Sequence, residues 1–456
     1  MGDSDSTNRT RLSGSLVGVL ILLWLSVFLN YIDRSNLSIA APLLKGELGL
    51  SATQLGVLLS AFFWTYACLQ IPAGWLVDRF EVKWVFAGGF LIWSAATAVT
   101  GVLHSFAALL AVRVVLGMGE SVAYPSYSKI IANHFPVERR GFANSVVASG
   151  LCFGPSFGML FGGTLMGQFG WRPFFVTLGL ASLLWIGPWS IWMPRAKSHA
   201  DDGNKKGPGL QEIVARRAWV ATALGLFAMN YVNYFLLTWL PFYLVRERGF
   251  SMNAMAEVGG AIMLTAAVSA VVSGKLSDRW IRAGATTTRI RSGFIVTGNL
   301  MTGTLLMAAV VAPRDVSVGL LMLVGVGFGM ASANVWAITQ TLAGPRVAGR
   351  WAGSQNFIGN LSGAVAPALT GVLVDRTGHF FWPFLITGAV AWSGAAVWTF
   401  LLGPIEPVVW RSSDPFPSTR VTPSLRSSAS LVNRSASFNR SAAGIGHVQQ
   451  LDALGD

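Results

Sequence analysis

Apolar runs long enough to cross a membrane recur along almost the whole of this chain. The sequence has 456 residues, of which 53% are hydrophobic and 12% charged, and its mean hydropathy is +0.54. A helix needs about 20 predominantly apolar residues to span the hydrocarbon core of a bilayer. Windows of that length lie near residues 14–33, 53–77, 84–103, 106–130, 142–166, 171–193, 219–245, 255–275, 291–311, 316–340, 352–376 and 380–403. The pattern predicts an all-α membrane protein with twelve transmembrane helices.

The basic residues are distributed unevenly between the two sides of the predicted membrane. The formal net charge is +13, and with the N-terminus inside, 25 of the 33 Lys and Arg residues fall in inner loops and tails. This positive-inside bias predicts that both termini are cytoplasmic. It also accounts for the basic charge as a topology signal, without a nucleic-acid partner. The absence of large outer loops or glycosylation sites on the outer face favours a bacterial inner (plasma) membrane.

The predicted spans fall into two halves that repeat each other. Residues 194–218 form the longest internal polar stretch and divide the spans six and six, which gives halves at 14–193 and 219–403 and an N-terminal cytoplasmic tail at 1–13. The segment Gly74 to Arg79 recurs 200 residues later as Gly274 to Arg279. Such self-similarity is typical of duplicated transporter halves. The Ser- and Arg-rich end of the chain, residues 404–456, is predicted to be a disordered cytoplasmic tail.

The motif Gly74-x-Leu76-x-Asp78-Arg79, followed by Lys83, resembles the loop signature of the major facilitator superfamily, although Glu81 stands where that signature usually has Gly. Narrower motifs resemble its anion:cation symporter family: Tyr31-Ile32-Asp33-Arg34-Ser35-Asn36, Trp64-Thr65-Tyr66 with Gln70-Ile71-Pro72, Arg113 with Gly117 and Glu120, and Thr238-Trp239-Leu240-Pro241-Phe242-Tyr243-Leu244. That family includes bacterial galactonate, glucarate and hexuronate carriers and animal sialic acid and vesicular glutamate carriers.

The resemblance implies a secondary active transporter that imports an organic anion, such as a sugar acid or another carboxylate, in symport with protons by alternating access. Some members are sodium-coupled or driven by potential alone, so sodium-coupled and uncoupled anion carriage stay open as alternatives. A non-transporting membrane sensor is a further alternative. It would need a folded partner-binding module, and the tail shows none.

Asp33 and Arg34 lie at the end of the first predicted span, and Arg113 and Glu120 lie inside the fourth. Charges inside a membrane are usually functional. Arg34 is predicted to bind the substrate carboxylate, because a guanidinium stays charged when desolvated and offers a planar fork. Asp33 and Glu120 are predicted to carry protons, with Arg113 alternating between them. The resemblance supports these roles, since the family's substrate and coupling residues match these positions. A structural ion pair between Arg113 and Glu120 is the alternative.

Polar and aromatic side chains on other spans complete the predicted site. Tyr31 shares a helix face with Arg34, Tyr66 with Gln70 on the second span, and Tyr234 with Tyr231 on the seventh. The resemblance implies a substrate contact for Tyr66, and also for Trp336 on the tenth span and Asn356 on the eleventh, which match family positions that contact substrate. Plain packing is the alternative for the aromatic residues. Sugar-acid carriers of the resembling family often have Gln where this chain has Leu151. A less hydroxylated or more apolar anion is therefore expected.

The loops at the inner end carry a predicted gate. Asp78, Arg79 and Lys83, with Asp278 and Arg279 in the second half, are expected to lock the cytoplasmic side through ion pairs or helix capping. A solvated charge cluster is the alternative reading.

Several function classes are disfavoured by what the sequence lacks. It shows no nucleophile–base set, no metal-ligand spacing and no Gly-rich phosphate loop, so no enzyme activity, cofactor or metal is expected. It also lacks the rings of like residues that a channel needs. The expected partners are the organic anion, protons and the lipid bilayer, and the protein is expected to be a monomer.

Overall fold

Nearly all of the chain that the structure describes is helical. The computed structural model describes residues 14–135, 137–194, 209–344 and 347–410. Its α-helices are α1 Gly14–Leu48, α2 Ala52–Arg79, α3 Val82–Thr100, α4 Phe106–Glu120, α5 Ala123–His134, α6 Val137–Phe157, α7 Gly163–Phe169, α8 Trp171–Leu183, α9 Ile186–Trp192, α10 Leu210–Val214, α11 Arg217–Arg246, α12 Met252–Arg282, α13 Thr287–Val311, α14 Arg314–Ala343, α15 Ala348–Thr377 and α16 Phe381–Ala396.

These helices form twelve spans that are long and apolar enough to cross a membrane. The predicted all-α membrane protein is therefore confirmed. Spans four, five and six are each built from two helices: α4 with α5, α6 with α7, and α8 with α9. Short π-helical segments join α6 to α7 at Gly158–Gly162 and follow α16 at Val397–Leu401.

The first span is longer than its hydropathy window. The window near residues 14–33 ends at the first charged residues, whereas α1 continues to Leu48. Asp33 and Arg34 are 2% and 4% exposed, so they lie near the middle of a buried helix rather than at its end. A hydropathy window treats these residues as a loop, but the interior of a helix bundle can hold charges that pair with one another.

The two halves repeat the same turn in the same place. Gly49 and Gly249 adopt positive φ angles of 63° and 69° at the ends of the first spans of the two halves, a conformation that suits a residue without Cβ. Ser51 and Ser251 then cap the next helix, and each side chain accepts a backbone N–H three residues on. The internal repeat thus extends from sequence to backbone geometry.

We call the end of the bundle that holds these two glycine turns the outer end, following the charge-based orientation. There Asp375 on α15 accepts the backbone N–H groups of Ala52 and Thr53, both at 2.7 Å. Just below, α2 and α15 touch so closely that a Cβ on Gly56 would lie 2.5 Å from the Pro367 carbonyl oxygen. An acid of one half therefore caps a helix N-terminus of the other, and this seam is closed.

A second seam between the halves, α7 against α12, is built differently. A Cβ on Gly163 would lie 2.7 Å from the Ala256 Cβ, and one on Gly167 would lie 3.1 Å from Met252 and Asn253 atoms. Gly167 precedes the positive-φ Gly170 by three residues, as Asp375 precedes Gly378. This seam has a glycine where its counterpart has an acid.

The segments that flank the second half contact its inner end. Residues 195–208 of the predicted central loop lie outside the described ranges, but the remainder includes α10, whose Ile213 is fully buried. The predicted disordered tail begins too early, because Ile405, Val408 and Trp410 pack on an apolar cluster of the second half. The Val408 N–H donates to the Leu342 carbonyl at 2.9 Å, and Ile405 is only 5% exposed. Residues 1–13 and 411–456 lie outside the description.

Candidate functional site

An ion pair between two spans lies in the interior of the first half. The Arg34 Nε on α1 donates to Glu120 Oε2 at the end of α4, at 2.9 Å, and their side chains are 3% and 0% exposed. Arg113, the partner considered from sequence, does not hold Glu120 in this way. Seven residues separate Arg113 from Glu120 along a helix, which is about 10 Å of axial rise, so the two sit at different levels. Arg34 on the facing helix lies level with Glu120.

Aromatic rings surround the Arg34 guanidinium. Its Cζ lies 4.3 Å from the Tyr66 ring centroid, 4.9 Å from that of Tyr31 and 5.0 Å from that of Phe62. The Arg113 Cζ lies 5.6 Å from the same Phe62 ring, so this ring is shared by both cations. Sequence analysis missed Phe62. The available signal was its position one helical turn before Tyr66 on α2.

Asp33 occupies a different side of α1 from Arg34, as the helical rotation predicts. Thr97 on α3 faces its carboxylate without reaching hydrogen-bond geometry, and neither Asp33 oxygen has a hydrogen-bond partner among the described residues. Arg113 lies within Coulomb range of both Asp33 and Glu120. The structure thus gathers two guanidinium groups and two carboxyl groups in one buried cluster, with a direct bond between Arg34 and Glu120.

Several predicted binding residues connect the two halves. Asn356 Nδ2 on α15 donates to Gln70 Oε1 on α2 at 3.2 Å. The Tyr234 hydroxyl donates to Asn360 Oδ1 at 2.6 Å, and its ring lies 4.3 Å from that of Phe63. These side chains therefore stand at the interface of the halves and bond to protein groups. Trp336 on α14 differs from them, since it is 40% exposed.

The predicted gate residues make contacts within their own halves. Lys83 is 7% exposed, and its Nζ donates to the carbonyls of Ser190 and Met193, at 2.7 and 2.9 Å, at the end of the sixth span. Asp278 approaches Arg291 at 3.9 Å in the second half. Arg79 lies over the Trp75 ring, and the Asp78 side chain lies outside the description. Lys83 thus anchors one span to another of the same half. The side chain of Arg279, the remaining predicted gate residue, forms no ion pair or hydrogen bond with another described residue.

The turn at Glu81 has ordinary backbone geometry. Glu81 has φ −63°, a negative value open to any L-residue, so this turn does not require the glycine that the superfamily signature usually has.

A small cavity lies between the halves. Its volume is about 120 Å³, and α6, α11, α12 and α14 supply its walls: Leu151, Pro155, Asn233, Leu236, Ile262, Met263, Ala266, Ala267, Ala270, Gly325, Phe328 and Ser332. The α6 wall reaches toward Arg34 through Tyr31: a Cβ on Gly154, next to Pro155, would lie 2.6 Å from the Tyr31 Cβ, and the Tyr31 ring centroid lies 4.9 Å from the Arg34 Cζ. The α6 side of the cavity therefore packs against an aromatic residue that contacts Arg34.

Comparison with known proteins gives consistent matches. A probable sulfoacetate transporter of Cupriavidus necator is 31% identical over 413 residues, which cover 86% of this chain and 94% of that protein. A probable galactarate/D-glucarate transporter of Bacillus subtilis is 27% identical, over 88% of this chain and 94% of its own length. The hexuronate transporter of the same species is 29% identical, over 82% and 91%.

The fold agrees with a solved transporter structure. A bacterial homolog of the human lysosomal transporter Spinster, crystallised in an inward-facing and unoccupied conformation, has a TM-score of 0.70 and 22% identity, over 86% of this chain and 96% of that one. This similarity supports the two six-helix halves predicted from the repeat. The family model of the Major Facilitator Superfamily matches residues 23–367, well over half of the sequence. The chain is an integral, multi-pass membrane protein, and it belongs to the Major Facilitator Superfamily.

Proposed function

We propose that this protein is a secondary active transporter that imports an organic anion in symport with protons by alternating access. The observation that carries the proposal is the buried pair of Arg34 and Glu120 at the middle of the bundle. The similar proteins are named as transporters of sulfoacetate, galactarate or glucarate, and hexuronate, which are all organic anions.

The coupling follows from competition for one guanidinium. A substrate carboxylate or sulfonate that docks on Arg34 displaces the Glu120 carboxylate from Nε. A fully buried carboxylate that loses its cation is strongly disfavoured, and protonation removes that penalty. Glu120 therefore takes a proton when the anion binds and returns it when the anion leaves, so the two move together.

Asp33 and Arg113 form the second part of the proposed coupling site. Arg113 is close enough to both acids for electrostatic attraction, and both it and Arg34 lie near the Phe62 ring. We propose that Arg113 shifts toward whichever of Asp33 and Glu120 is ionised, which limits the uncompensated charge at each step of the cycle. The proton at Asp33 then depends on the occupancy of Arg34 without direct contact.

In the proposed cycle the two halves rock about the central site. The seam between α2 and α15 is closed at the outer end, and it must part for the anion to enter. The charge distribution supports an orientation with both termini cytoplasmic in a bacterial inner membrane. The protein would import its substrate, because the proton gradient across that membrane points inward.

The test is uptake into proteoliposomes that contain the purified full-length protein. Wild-type protein should accumulate a radiolabelled organic anion under an imposed inward pH gradient. Glu120→Gln should abolish accumulation but retain exchange of labelled for unlabelled anion, because exchange needs no net proton movement. Glu47→Gln is the matched control, since Glu47 pairs with Arg172 away from the central cluster at 2.9 Å.

Three outcomes would contradict the proposed coupling. One is accumulation by Glu120→Gln at the wild-type level under the pH gradient. The second is accumulation driven by an imposed sodium gradient with no pH difference, which would identify a sodium-coupled carrier. The third is exchange by the wild-type protein without accumulation under either gradient, which would identify an uncoupled carrier.

A further inference from the structure

We infer that the transported anion is compact and poor in hydroxyl groups, with its body held in the cavity between α6, α11, α12 and α14. This inference rests on the proposed function and specifies its substrate class. It departs from the six-carbon sugar acids named for several of the similar proteins.

The chemistry of the cavity lining carries the inference. Of the side chains that line it, Asn233 and Ser332 alone offer hydrogen-bonding atoms, and none is ionisable. The others are aliphatic, thioether, aromatic or proline side chains, or glycine. A six-carbon sugar diacid has four hydroxyl groups, and each loses hydrogen bonds to water on entering such a lining. A body with one or two polar atoms can be satisfied by the amide and the hydroxyl present.

The cavity is also small, and the part of its wall that belongs to the second half is tightly packed. About 120 Å³ is well below the roughly 300 Å³ at which pockets for drug-sized ligands begin. Part of the wall is formed where α12 meets α14. A Cβ on Gly325 would lie 2.3 Å from Thr265 Oγ1, so these helices are already in close contact. The wall cannot be enlarged by side-chain rotation at Ala266, Ala267 or Ala270.

The two polar side chains suggest how the ligand is oriented. Ser332 Oγ donates to the Gly329 carbonyl at 3.1 Å, which leaves its oxygen free to accept. The Asn233 amide can donate to a second carboxylate, sulfonate or carbonyl oxygen of the ligand. With the first anionic group on Arg34, the far end of the molecule meets Asn233 and Ser332, and Leu151 covers the body between them.

The experiment compares two ligands that differ in hydroxyl content alone. Hexanedioate and its 2,3,4,5-tetrahydroxy derivative have the same length and charge, and a two-carbon carboxylate–sulfonate dianion tests compactness. Each anion is tested as an unlabelled competitor of radiolabelled hexanedioate uptake into proteoliposomes. Its Kd for the purified protein is measured by calorimetry. We expect wild-type protein to prefer both hydroxyl-poor anions over the tetrahydroxy diacid by about tenfold or more.

Leu151→Gln should narrow that preference, because the new amide can bond to a hydroxyl group. Leu210→Gln, at a half-exposed position of α10 outside the cavity, is the matched control and should keep the wild-type ratio. Asn233→Leu should weaken the binding of the dianions more than the binding of a monocarboxylate of equal length. If Leu151→Gln does not fold, the wild-type ratio and Asn233→Leu still decide the matter.

The outcomes separate this inference from the proposed function. Uptake that is best for the tetrahydroxy diacid would overturn the inference and leave the anion transporter intact. If Leu151→Gln and wild-type protein show the same affinity ratio between hexanedioate and the tetrahydroxy diacid, the cavity does not select the substrate. A failure to bind or carry any of these anions, with the protein folded, would overturn the proposed function itself.

Discussion

At the scale of single residues, the chemistry of this protein centres on one guanidinium with an acid on one side and aromatic rings on the other. Arg34 bonds to Glu120 through Nε and lies over Tyr66 at 4.3 Å. Its Nη2 has no hydrogen-bond partner among the described residues. A planar cation in this position can stack on a ring and receive an oxyanion on its edge at the same time, which a compact ammonium cannot do.

Arg34→Lys is expected to weaken anion binding although the charge is kept. Lysine loses the planar fork and the stacking surface, and the loss of one or two charge-assisted hydrogen bonds corresponds to roughly tenfold to a hundredfold in Kd. Calorimetry on the detergent-purified protein measures this change. Arg172→Lys is the control, because Arg172 is at the outer end and pairs with Glu47. Equal affinity in Arg34→Lys and wild-type protein would rule out the fork as the binding group.

At the scale of helices, α2 and α15 are joined by two hydrogen bonds that a small separation of the halves would break. The Asp375 carboxylate accepts two N–H groups at the start of α2, where the helix dipole also favours a negative charge. Both interactions are lost if the helices separate by a few ångströms. Sequence analysis did not select Asp375, because an acid near the end of a span reads as an ordinary interfacial charge.

Asp375→Asn is expected to favour the conformation that is open at the outer end. Asp375 is exposed and Asn keeps one acceptor oxygen, so the loss is about 1 kcal/mol, which would raise the open-to-closed ratio roughly fivefold. The measurement is labelling of a cysteine at position 55 by a membrane-impermeant maleimide in whole cells, with the native Cys68 and Cys152 changed to Ser. Leu55 is fully buried one turn from the capped N-terminus.

Asp315→Asn provides the matched control for that labelling. Asp315 is an exposed acid in the first turn of α14, so its loss should not change labelling at position 55. Equal labelling rates for the Asp375 and Asp315 variants would show that the Asp375 carboxylate does not hold the outer end closed.

At the scale of the whole molecule, the described body extends beyond its last span. Ile405 is buried and the Trp410 indole N–H donates to the Ala343 carbonyl at 3.3 Å, so residues 404–410 cover the inner end of the second half. Trp410 also lies under the Arg216 guanidinium, at 5.4 Å, just before α11. The chain segment that leads into the second half therefore contacts the segment that follows its last span.

Truncation after Trp410 should preserve stability and transport, whereas truncation after Gly403 should lower the melting temperature. The longer truncation exposes the surface that Ile405 covers, and burial of one such side chain contributes about 1.5–3 kcal/mol. Thermal unfolding in detergent and proteoliposome uptake measure both effects. Ile405→Ala separates lost packing from lost length. Equal melting temperatures for the two truncations would mean that residues 404–410 add no stability.

The fold was predictable from sequence, because long apolar runs and a repeated motif are strong local signals. Twelve spans, two halves and buried charges at Asp33, Arg34, Arg113 and Glu120 follow from them. The pairing of Arg34 with Glu120 was not predictable, since it depends on the relative level of two helices that are distant in sequence. For the same reason the bonds from Lys83 to the carbonyls at the end of the sixth span were not predicted, and its role in a gate stays a prediction.

The two contacts between the halves at the outer end, α2 with α15 and α7 with α12, should differ in how easily they separate. The two directional bonds of Asp375 break over a short distance, whereas the glycine contacts of α7 with α12 rest on surface fit and can slide. We therefore expect the first seam to part before the second. In the proposed transport cycle, the outer end would then open between α2 and α15, and the path into the protein would pass Asp375.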